Sequence, residues 1–135
     1  MSGEHVRLRV GVERYAMPIE NVLEVAELGE LSAVPGADAV VLGVRNLHGH
    51  VLPVFDLSRV FAIAGDATAG RIVVAEHAGR LAGLAVDEVT DVSPLPADVE
   101  ESDTEYLTGA MLEEGRLVGV IDVDRLFGGL GWATG

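Results

Sequence analysis

The sequence predicts an all-β protein made of two small barrels packed side by side, each with about five short strands and a short helix after its last hairpin. Three observations support this fold class: an internal repeat, a content of 49% apolar but only 4% aromatic residues, and glycine at the expected turns. A core poor in aromatic residues must be mainly Val, Leu, Ile and Ala, and β-branched side chains suit a pleated surface. We expect each sheet to close, because closure removes bare edges.

The repeat is clearest in two segments that lie 66 positions apart, 43–61 and 109–127. Each predicts a hairpin and then an Asp that caps a short helix, because its carboxylate can accept a free backbone N–H of the first turn. Chance matching of Gly and Val is the alternative, but charged positions match as well, which favours duplication. The identical pairs are Gly43 and Gly109, Gly49 and Gly115, Val54 and Val120, Asp56 and Asp122, Arg59 and Arg125, and Phe61 and Phe127.

The repeat extends upstream and predicts two subdomains. Residues 6–10 align with 72–76 at the same offset, and one inserted residue then places Val22 on Val89 and Val25 on Val92. Halves of about 66 residues would be marginal alone, so we expect a shared interface. We therefore expect one domain over 1–135, divided into a subdomain at about 5–64, a subdomain at about 70–128 and a Gly-rich tail at 128–135.

Local patterns assign the elements of the first half. Alternating apolar and basic residues over 6–10 predict a half-buried strand. After a turn, a return strand ends at Pro18, since proline cannot donate to a ladder. Residues 19–25 predict a helical turn that passes into a strand, and turn-forming residues make 29–38 a loop before the repeated hairpin.

The second half follows the same plan. Small residues make 64–70 a linker, and strands are predicted at 71–76, 80–86 and 88–93. Residues 94–105 form an acidic, Pro-containing loop before the last hairpin and helix. In the tail, Trp132 is either an anchor or exposed, and the pattern does not decide between these.

Composition excludes several functional classes. The chain has no Cys, so disulfides and cysteine-based metal or redox sites are excluded. No apolar run of about 18 residues predicts a transmembrane helix, and the N-terminus has no signal-peptide pattern, so we expect a cytoplasmic protein. Lys is absent and the formal net charge is −13, which disfavours nucleic acid and anionic membranes as partners. Solubility accounts for such charge; an acidic face for a basic partner is the alternative.

No candidate catalytic or metal site is convincing. Asp56 and Asp122 could in principle form an aspartic-protease dyad, but neither is followed by Thr-Gly, so helix capping is favoured. His48 and His50 could face one side of a strand, but no third metal ligand is apparent. Nucleophile-elbow, P-loop and dinucleotide motifs are missing from the sequence. We therefore expect a protein that is not an enzyme and has no cofactor.

Three segments, together with the repeat, resemble one known family: 46–49, 51–57 and 104–109. In order and spacing they are similar to the CheW family of bacterial chemotaxis coupling proteins, over about residues 5–127. The resemblance implies two five-stranded SH3-like barrels without catalytic activity. It also implies an adaptor in receptor arrays at the inner face of the membrane, which bridges the regulatory domain of a CheA-type histidine kinase to the cytoplasmic tip of methyl-accepting chemoreceptors. The regulatory domain is itself CheW-like, so ring contacts between such domains are implied as well.

The resemblance also implies two sets of site residues. The receptor would contact the groove between the barrels at Val22, Glu24, Arg45, Asn46, His48, Gly83 and Val86. The kinase would contact the first barrel at Val34, Pro35, Val41, Leu42 and Gly43. The family usually has Arg after Asn-Leu, whereas this chain has His48, a shorter side chain that is not permanently charged. Arg45 is the candidate to replace that arginine.

Two functional classes stay open. An adaptor for chemotaxis, or for a related motility pathway, needs an open groove with exposed apolar residues and a few polar ones. A small-ligand-binding protein or enzyme would instead use the cleft between the barrels as a closed apolar pocket. For Val22 and Val86, burial in the core is an alternative to partner contact.

Overall fold

A computed structural model describes residues 3–63, 69–102 and 104–130. The strands are β1 Glu4–Val10, β2 Glu13–Pro18, β3 Val22–Glu27, β4 Val41–Leu47, β5 His50–Asp56, β6 Arg71–His77, β7 Arg80–Val86, β8 Glu88–Pro94, β9 Glu100–Glu101, β10 Leu107–Glu113 and β11 Arg116–Ile121. A 3-10 turn, Ile19–Asn21, precedes β3, and the helices are α1 Leu57–Val60 and α2 Val123–Gly129. The predicted linker lies mostly outside the described residues, and Trp132 lies wholly outside them. No helix within these ranges is long and apolar enough to cross a membrane.

The strands form two sheets, which confirms the predicted mostly-β fold. The first sheet has the order β8-β1-β2-β11-β10-β9, and the second has the order β3-β6-β7-β5-β4. Within the described part of the chain, the two outer strands of each sheet do not pair with each other. The expectation that each sheet closes was therefore wrong, although the two sheets are consistent with SH3-like barrels. In the second sheet, the free edge of β4 is partly covered by the loop after β3, because Ser32 and Val44 form an isolated backbone bridge.

Each sheet combines strands from both halves of the sequence. The hairpin β1–β2 belongs to the first sheet with β8 to β11, and the hairpin β6–β7 belongs to the second sheet with β3, β4 and β5. Parallel pairing attaches each hairpin to its sheet, β2 to β11 and β7 to β5. The repeat and the sheets thus divide the chain differently. The predicted subdomains at 5–64 and 70–128 are the two copies of the repeat in sequence, and neither copy coincides with one sheet.

Strand pairing also shows which residues of the two hairpins are equivalent. The pair Val10 and Glu13 closes the turn of β1–β2, and the pair His77 and Arg80 closes the turn of β6–β7. Val10 therefore corresponds to His77, and the predicted equivalence with Glu76 was wrong by one residue. A slip of one residue moves each side chain of a strand to the opposite face of the sheet.

Buried apolar side chains form three clusters. The largest takes residues from both sheets and both helices, including Leu8, Phe55, Leu84 and Leu126, so it lies where the sheets pack together. A second cluster is formed within the second sheet, and a third within the first sheet. Successive residues alternate between clusters along β6, as the period of a strand requires. The shared cluster is the interface expected between two marginal halves.

The repeated Asp and Arg form equivalent helix caps, as predicted. The Asp56 carboxylate accepts a hydrogen bond from the backbone N–H of Ser58, and that of Asp122 accepts one from Arg125. The guanidinium of Arg59 lies 3.4 Å from Asp56, and that of Arg125 lies 3.5 Å from Asp122. Capping and this local ion pair explain why the same spacing occurs in both halves.

A buried arginine links the first hairpin to the second half of the chain. The Arg7 guanidinium donates to both carboxylate oxygens of Glu113, at 2.9 and 2.8 Å. It also donates to the backbone carbonyls of His5, Ser93 and Pro94. These bonds use all five N–H donors that a guanidinium has, so β1, β8 and β10 are held together by one side chain.

An aromatic stack packs α1 against β2. The rings of Tyr15 and Phe61 are stacked with centroids 4.4 Å apart, and Phe61 also meets Tyr106 edge to face at 6.0 Å. Burial, together with the nearby Glu13 carboxylate, raises the pKa of Tyr15 to about 12. The neutral phenol is therefore the form that this packing stabilises.

Candidate functional site

Two predicted receptor-binding residues contact each other at the rim of the second sheet. Glu24 lies on the outer strand β3, and His48 lies in the turn after β4, the other outer strand. Nε2 of His48 is 3.2 Å from Oε1 of Glu24, and the side chains are 70% and 39% exposed, respectively. His48 adopts a left-handed backbone conformation with φ of 53°. The pair is thus accessible to a partner and also bridges the open edges of the sheet.

An exposed apolar strip lies beside this pair. Val22 packs partly against the shared core and pairs with Ala75, whereas Leu23 and Val25 are 54% and 43% exposed. Ile19 in the preceding turn is also exposed. Ile19, Leu23 and Val25 form this strip; only the neighbouring Val22 was predicted from the sequence to belong to the site. The signal that could have revealed the rest is the near-continuous apolar run around Glu24, which a half-buried strand does not need.

Arg45 and Asn46 lie on β4, but Arg45 does not take over the contact of His48. Its guanidinium lies across Gly29, where an added Cβ would come within 2.7 Å of Nη2. Nη1 donates to the backbone carbonyl of Asn46, and the buried Nε has no hydrogen-bond partner. Asn46 itself is exposed. Arg45 as the replacement for the family's arginine stays a prediction; in this structure its side chain is packed against the β3–β4 loop.

The last two predicted receptor-binding residues are buried. Val86 is fully buried in the shared core. Gly83 lies on the inner strand β7, and a Cβ there would meet Ile72 at 2.8 Å and Val54 at 3.1 Å. Direct contact with a partner needs exposed atoms, and the receptor contact assigned to these two residues stays a prediction. They support the sheet that carries the exposed residues.

The predicted kinase-binding residues are divided between a surface loop and the core. Val34 and Pro35 are exposed in the β3–β4 loop. Val41 and Leu42 are partly buried against the apolar clusters. Gly43 is buried, has φ of 153°, and lies where an added Cβ would come 2.6 Å from the Ser32 carbonyl oxygen. Gly43 thus allows close approach of two backbones and does not offer contact surface.

The cavity of the first sheet is not an enclosed apolar pocket suited to catalysis. It has a volume of about 580 Å³, but it is open and bordered by charged side chains. The described residues contain no group of three or more His, Cys, Asp or Glu arranged to hold a metal ion. An exposed apolar strip with one adjacent charged pair is better suited to protein contact than to covalent chemistry.

Comparison with known proteins gives a consistent result. Residues 4–130 match the model of the CheW-like domain family. The chain is 32% identical over 134 residues to "Chemotaxis protein CheW" of Rhizobium meliloti, which covers 92% of this chain and 86% of that protein. It is 39% identical over 95 residues to "Protein FrzA" of Myxococcus xanthus, covering 67% and 59% of the two chains. The scaffolding protein TtCheW from Thermoanaerobacter tengcongensis has a similar structure, with a TM-score of 0.82 at 29% identity and coverage of 94% and 93%.

Proposed function

Because this chain belongs to the family of CheW-like domains, we propose that it is a non-catalytic adaptor that couples chemoreceptors to a CheA-type histidine kinase in bacterial chemotaxis or related motility signalling. The observation that carries this proposal is the extent of the family match, which spans residues 4–130 and so includes both sheets. An adaptor needs surfaces for two partners and no reactive centre, and the exposed residues of the second sheet suit that requirement.

The receptor-binding surface of this proposal is the rim that carries Glu24 and His48 together with the strip formed by Ile19, Leu23 and Val25. A helical partner that docks in a groove is held by apolar side chains, and a few polar residues set its orientation. Exposed Leu23 and Val25 can provide the apolar area. Glu24 provides a carboxylate whose only side-chain contact among the described residues is His48. The partner is the cytoplasmic tip of a methyl-accepting receptor.

The kinase-binding surface of the proposal is the β3–β4 loop at Val34 and Pro35, with the partly exposed atoms of Val41 and Leu42 beside it. Val34 is 41% exposed and apolar, which suits a contact with another protein. Val34 and Pro35 are not among the proposed receptor contacts, so the receptor and the kinase regulatory domain need not compete for the same residues. Contacts with other CheW-like domains would extend such complexes into rings. In this proposal the adaptor works in the cytoplasm, in arrays at the inner face of the membrane.

The alternative, a small-ligand-binding protein or an enzyme, has less support. It requires an enclosed apolar pocket with a few convergent polar groups. The cavity in the first sheet is open, and charged side chains such as Arg14, Asp91 and Glu114 border it. That lining favours contact with charged groups of another molecule over a buried reaction.

Calorimetric titration against the isolated regulatory domain of a CheA-type kinase from the same organism tests the proposal. We expect saturable binding with Kd at or below roughly tens of micromolar. Val34→Asp should weaken binding at least about tenfold, because it places a charge in an apolar contact. Val12→Asp is the matched control, since Val12 is 82% exposed in the β1–β2 turn and outside the proposed surface. Absence of heat and of complex at those concentrations would overturn the kinase assignment.

A further inference from the structure

The first sheet contains an open cleft that the adaptor function does not use. It has a volume of about 580 Å³ and lies between β8 and the β10–β11 turn. Its border includes Arg14, Asp91, Glu113, Glu114 and Arg116. None of these residues is among the proposed receptor or kinase contacts, all of which lie on strands and loops of the second sheet.

The cleft occupies the position that the Glu24–His48 contact closes in the second sheet. Glu24 and Asp91 are at equivalent positions. Each lies on an outer strand next to a register shift, where Glu24 pairs with Val74 and Asp91 pairs with Arg7. His48 and Glu114 are equivalent too, because each begins the two-residue turn of the repeated hairpin, with φ of 53° and 51°. A carboxylate and an imidazole can pair, whereas two carboxylates repel each other. The first sheet therefore lacks the bridge that joins the outer strands of the second.

The innermost arginine of the cleft cannot bind a ligand. Arg7 is 6% exposed, and its five N–H donors are all used by Glu113 and three backbone carbonyls. The Arg7–Glu113 ion pair at the base of the cleft therefore has no net charge, and Arg7 has no free hydrogen-bond donor. Any binding at the cleft depends on the charged residues at its border.

Four of the border residues are charged and have few partners within the chain. Arg14 and Arg116 are positive, and Asp91 and Glu114 are negative. The side chains of Arg14, Arg116 and Glu114 form no hydrogen bond or ion pair with the rest of the described chain. The Asp91 carboxylate accepts a hydrogen bond only from the Ser93 hydroxyl, at 3.3 Å. Arg14 and Arg116 thus place two of the chain's nine arginines beside one cleft, where their charges are available to a partner.

We propose that this cleft is a separate docking site for a protein segment that presents one basic and one acidic side chain about one helical turn apart. The basic side chain lies between Asp91 and Glu114, where it supplies the bridge that His48 supplies in the second sheet. The acidic side chain pairs with Arg14 and Arg116. Residues four apart on a helix present such a pair on one face.

The test uses a blocked, alanine-based helical peptide with Glu and Lys four residues apart, titrated into the 15N-labelled full chain. We expect amide shifts confined to 88–94 and 113–118, with Kd of about 1 mM, and at least roughly fivefold weaker binding in about 0.5 M NaCl. A peptide with Ala at both charged positions is the control. Equal amide shifts with the control peptide, or no shifts with either peptide, would overturn the proposal.

Two variants test the geometry. Glu114→His should recreate the bridge of the second sheet within the chain and weaken peptide binding at least about fivefold. Arg116→Ala should weaken it by removing the partner of the acidic side chain. Unchanged affinity in both folded variants would contradict the assigned contacts. Binding to the kinase regulatory domain should be unaffected by either variant, so failure of the cleft proposal and failure of the adaptor proposal are distinguishable.

Discussion

Nε2 of His48 lies 3.2 Å from Oε1 of Glu24, and this contact joins the two outer strands of the second sheet. Both side chains are accessible to solvent, so the pair contributes little to stability in an isolated chain. Its position at the rim, beside exposed Leu23 and Val25, makes it available to a partner. The same two residues thus bridge the open rim of the second sheet and form part of the proposed receptor contact.

Glu24→Ala should affect receptor binding much more than folding. We expect the free energy of unfolding to change by less than about 1 kcal/mol, because a contact between two exposed polar side chains is weak. Affinity for a receptor tip fragment should fall about tenfold or more, since a polar residue that orients the partner is lost. Glu27→Ala is the matched control on the same strand. Unfolding of Glu24→Ala, with unchanged receptor affinity in the folded fraction, would refute the assignment of Glu24.

Gly83→Ala should destabilise the fold without acting on a partner directly. The new methyl group would lie 2.8 Å from Ile72 and 3.1 Å from Val54, so the packed core must shift. We expect a loss of about 1–3 kcal/mol in chemical denaturation. Gly128→Ala is the control, because nothing lies within 4 Å of a Cβ there. If Gly83→Ala keeps its stability but loses receptor binding, our assignment of Gly83 to the core is incorrect.

Arg7→Met should be strongly destabilising. Removal of the guanidinium leaves the Glu113 carboxylate and three backbone carbonyls without their donors. The expected loss is about 3 kcal/mol, since breaking a partly buried charge pair leaves one charge uncompensated. Arg71→Met is the control and should cost less than about 1 kcal/mol, because Arg71 and its ion-pair partner Glu27 are 50% and 85% exposed. Equal denaturation midpoints for the two variants would show that Arg7 does not hold β1, β8 and β10 together.

Stability should fall at high pH because of Tyr15. Its pKa is raised to about 12 in the folded chain, from an ordinary value of 10.0. A raised phenol pKa means that the unfolded chain loses its proton first, so stability is intact below pH 10 and falls as the pH rises towards 12. The expected loss is at most about 3 kcal/mol, since one pKa unit corresponds to about 1.4 kcal/mol. The chain has no Lys, so few other groups titrate in this range.

Tyr15→Phe is the variant that checks this pH dependence, because it keeps the ring that stacks on Phe61 and removes the titrating hydroxyl. Denaturation midpoints measured at several pH values should be flatter for the variant. Burial also raises the pKa of Tyr106, so some dependence should persist. Identical pH profiles for the variant and the parent chain would disprove the role of Tyr15.

Local features could be predicted from sequence because they depend on nearby residues. Asp56 and Asp122 were recognisable as helix caps, since both the cap and its Arg lie within four positions. The hairpins were recognisable because their glycines fall at turns. These features are decided within a few residues of chain and survive in both copies of the repeat.

Long-range features could not be predicted in the same way. Two Val-rich strands can be aligned in either of two registers with similar scores. The equivalence of Val10 and His77 became visible only from the observed strand pairing. The exchange of hairpins between sheets depends on parallel pairing of β2 with β11 and β7 with β5, for which the pattern of one strand holds no signal. Burial of Gly83 and Val86 follows from that exchange, because β7 lies inside the second sheet and not at its edge.

The most direct test of the adaptor function is co-sedimentation of a CheA-type kinase with receptor-containing membranes, with and without this chain. The account predicts that the chain increases the amount of kinase in the membrane pellet several-fold, and that Glu24→Ala and Val34→Asp each remove the increase while their controls retain it. Kinase that sediments equally with and without the chain, while the chain is folded and present in excess, would contradict the account.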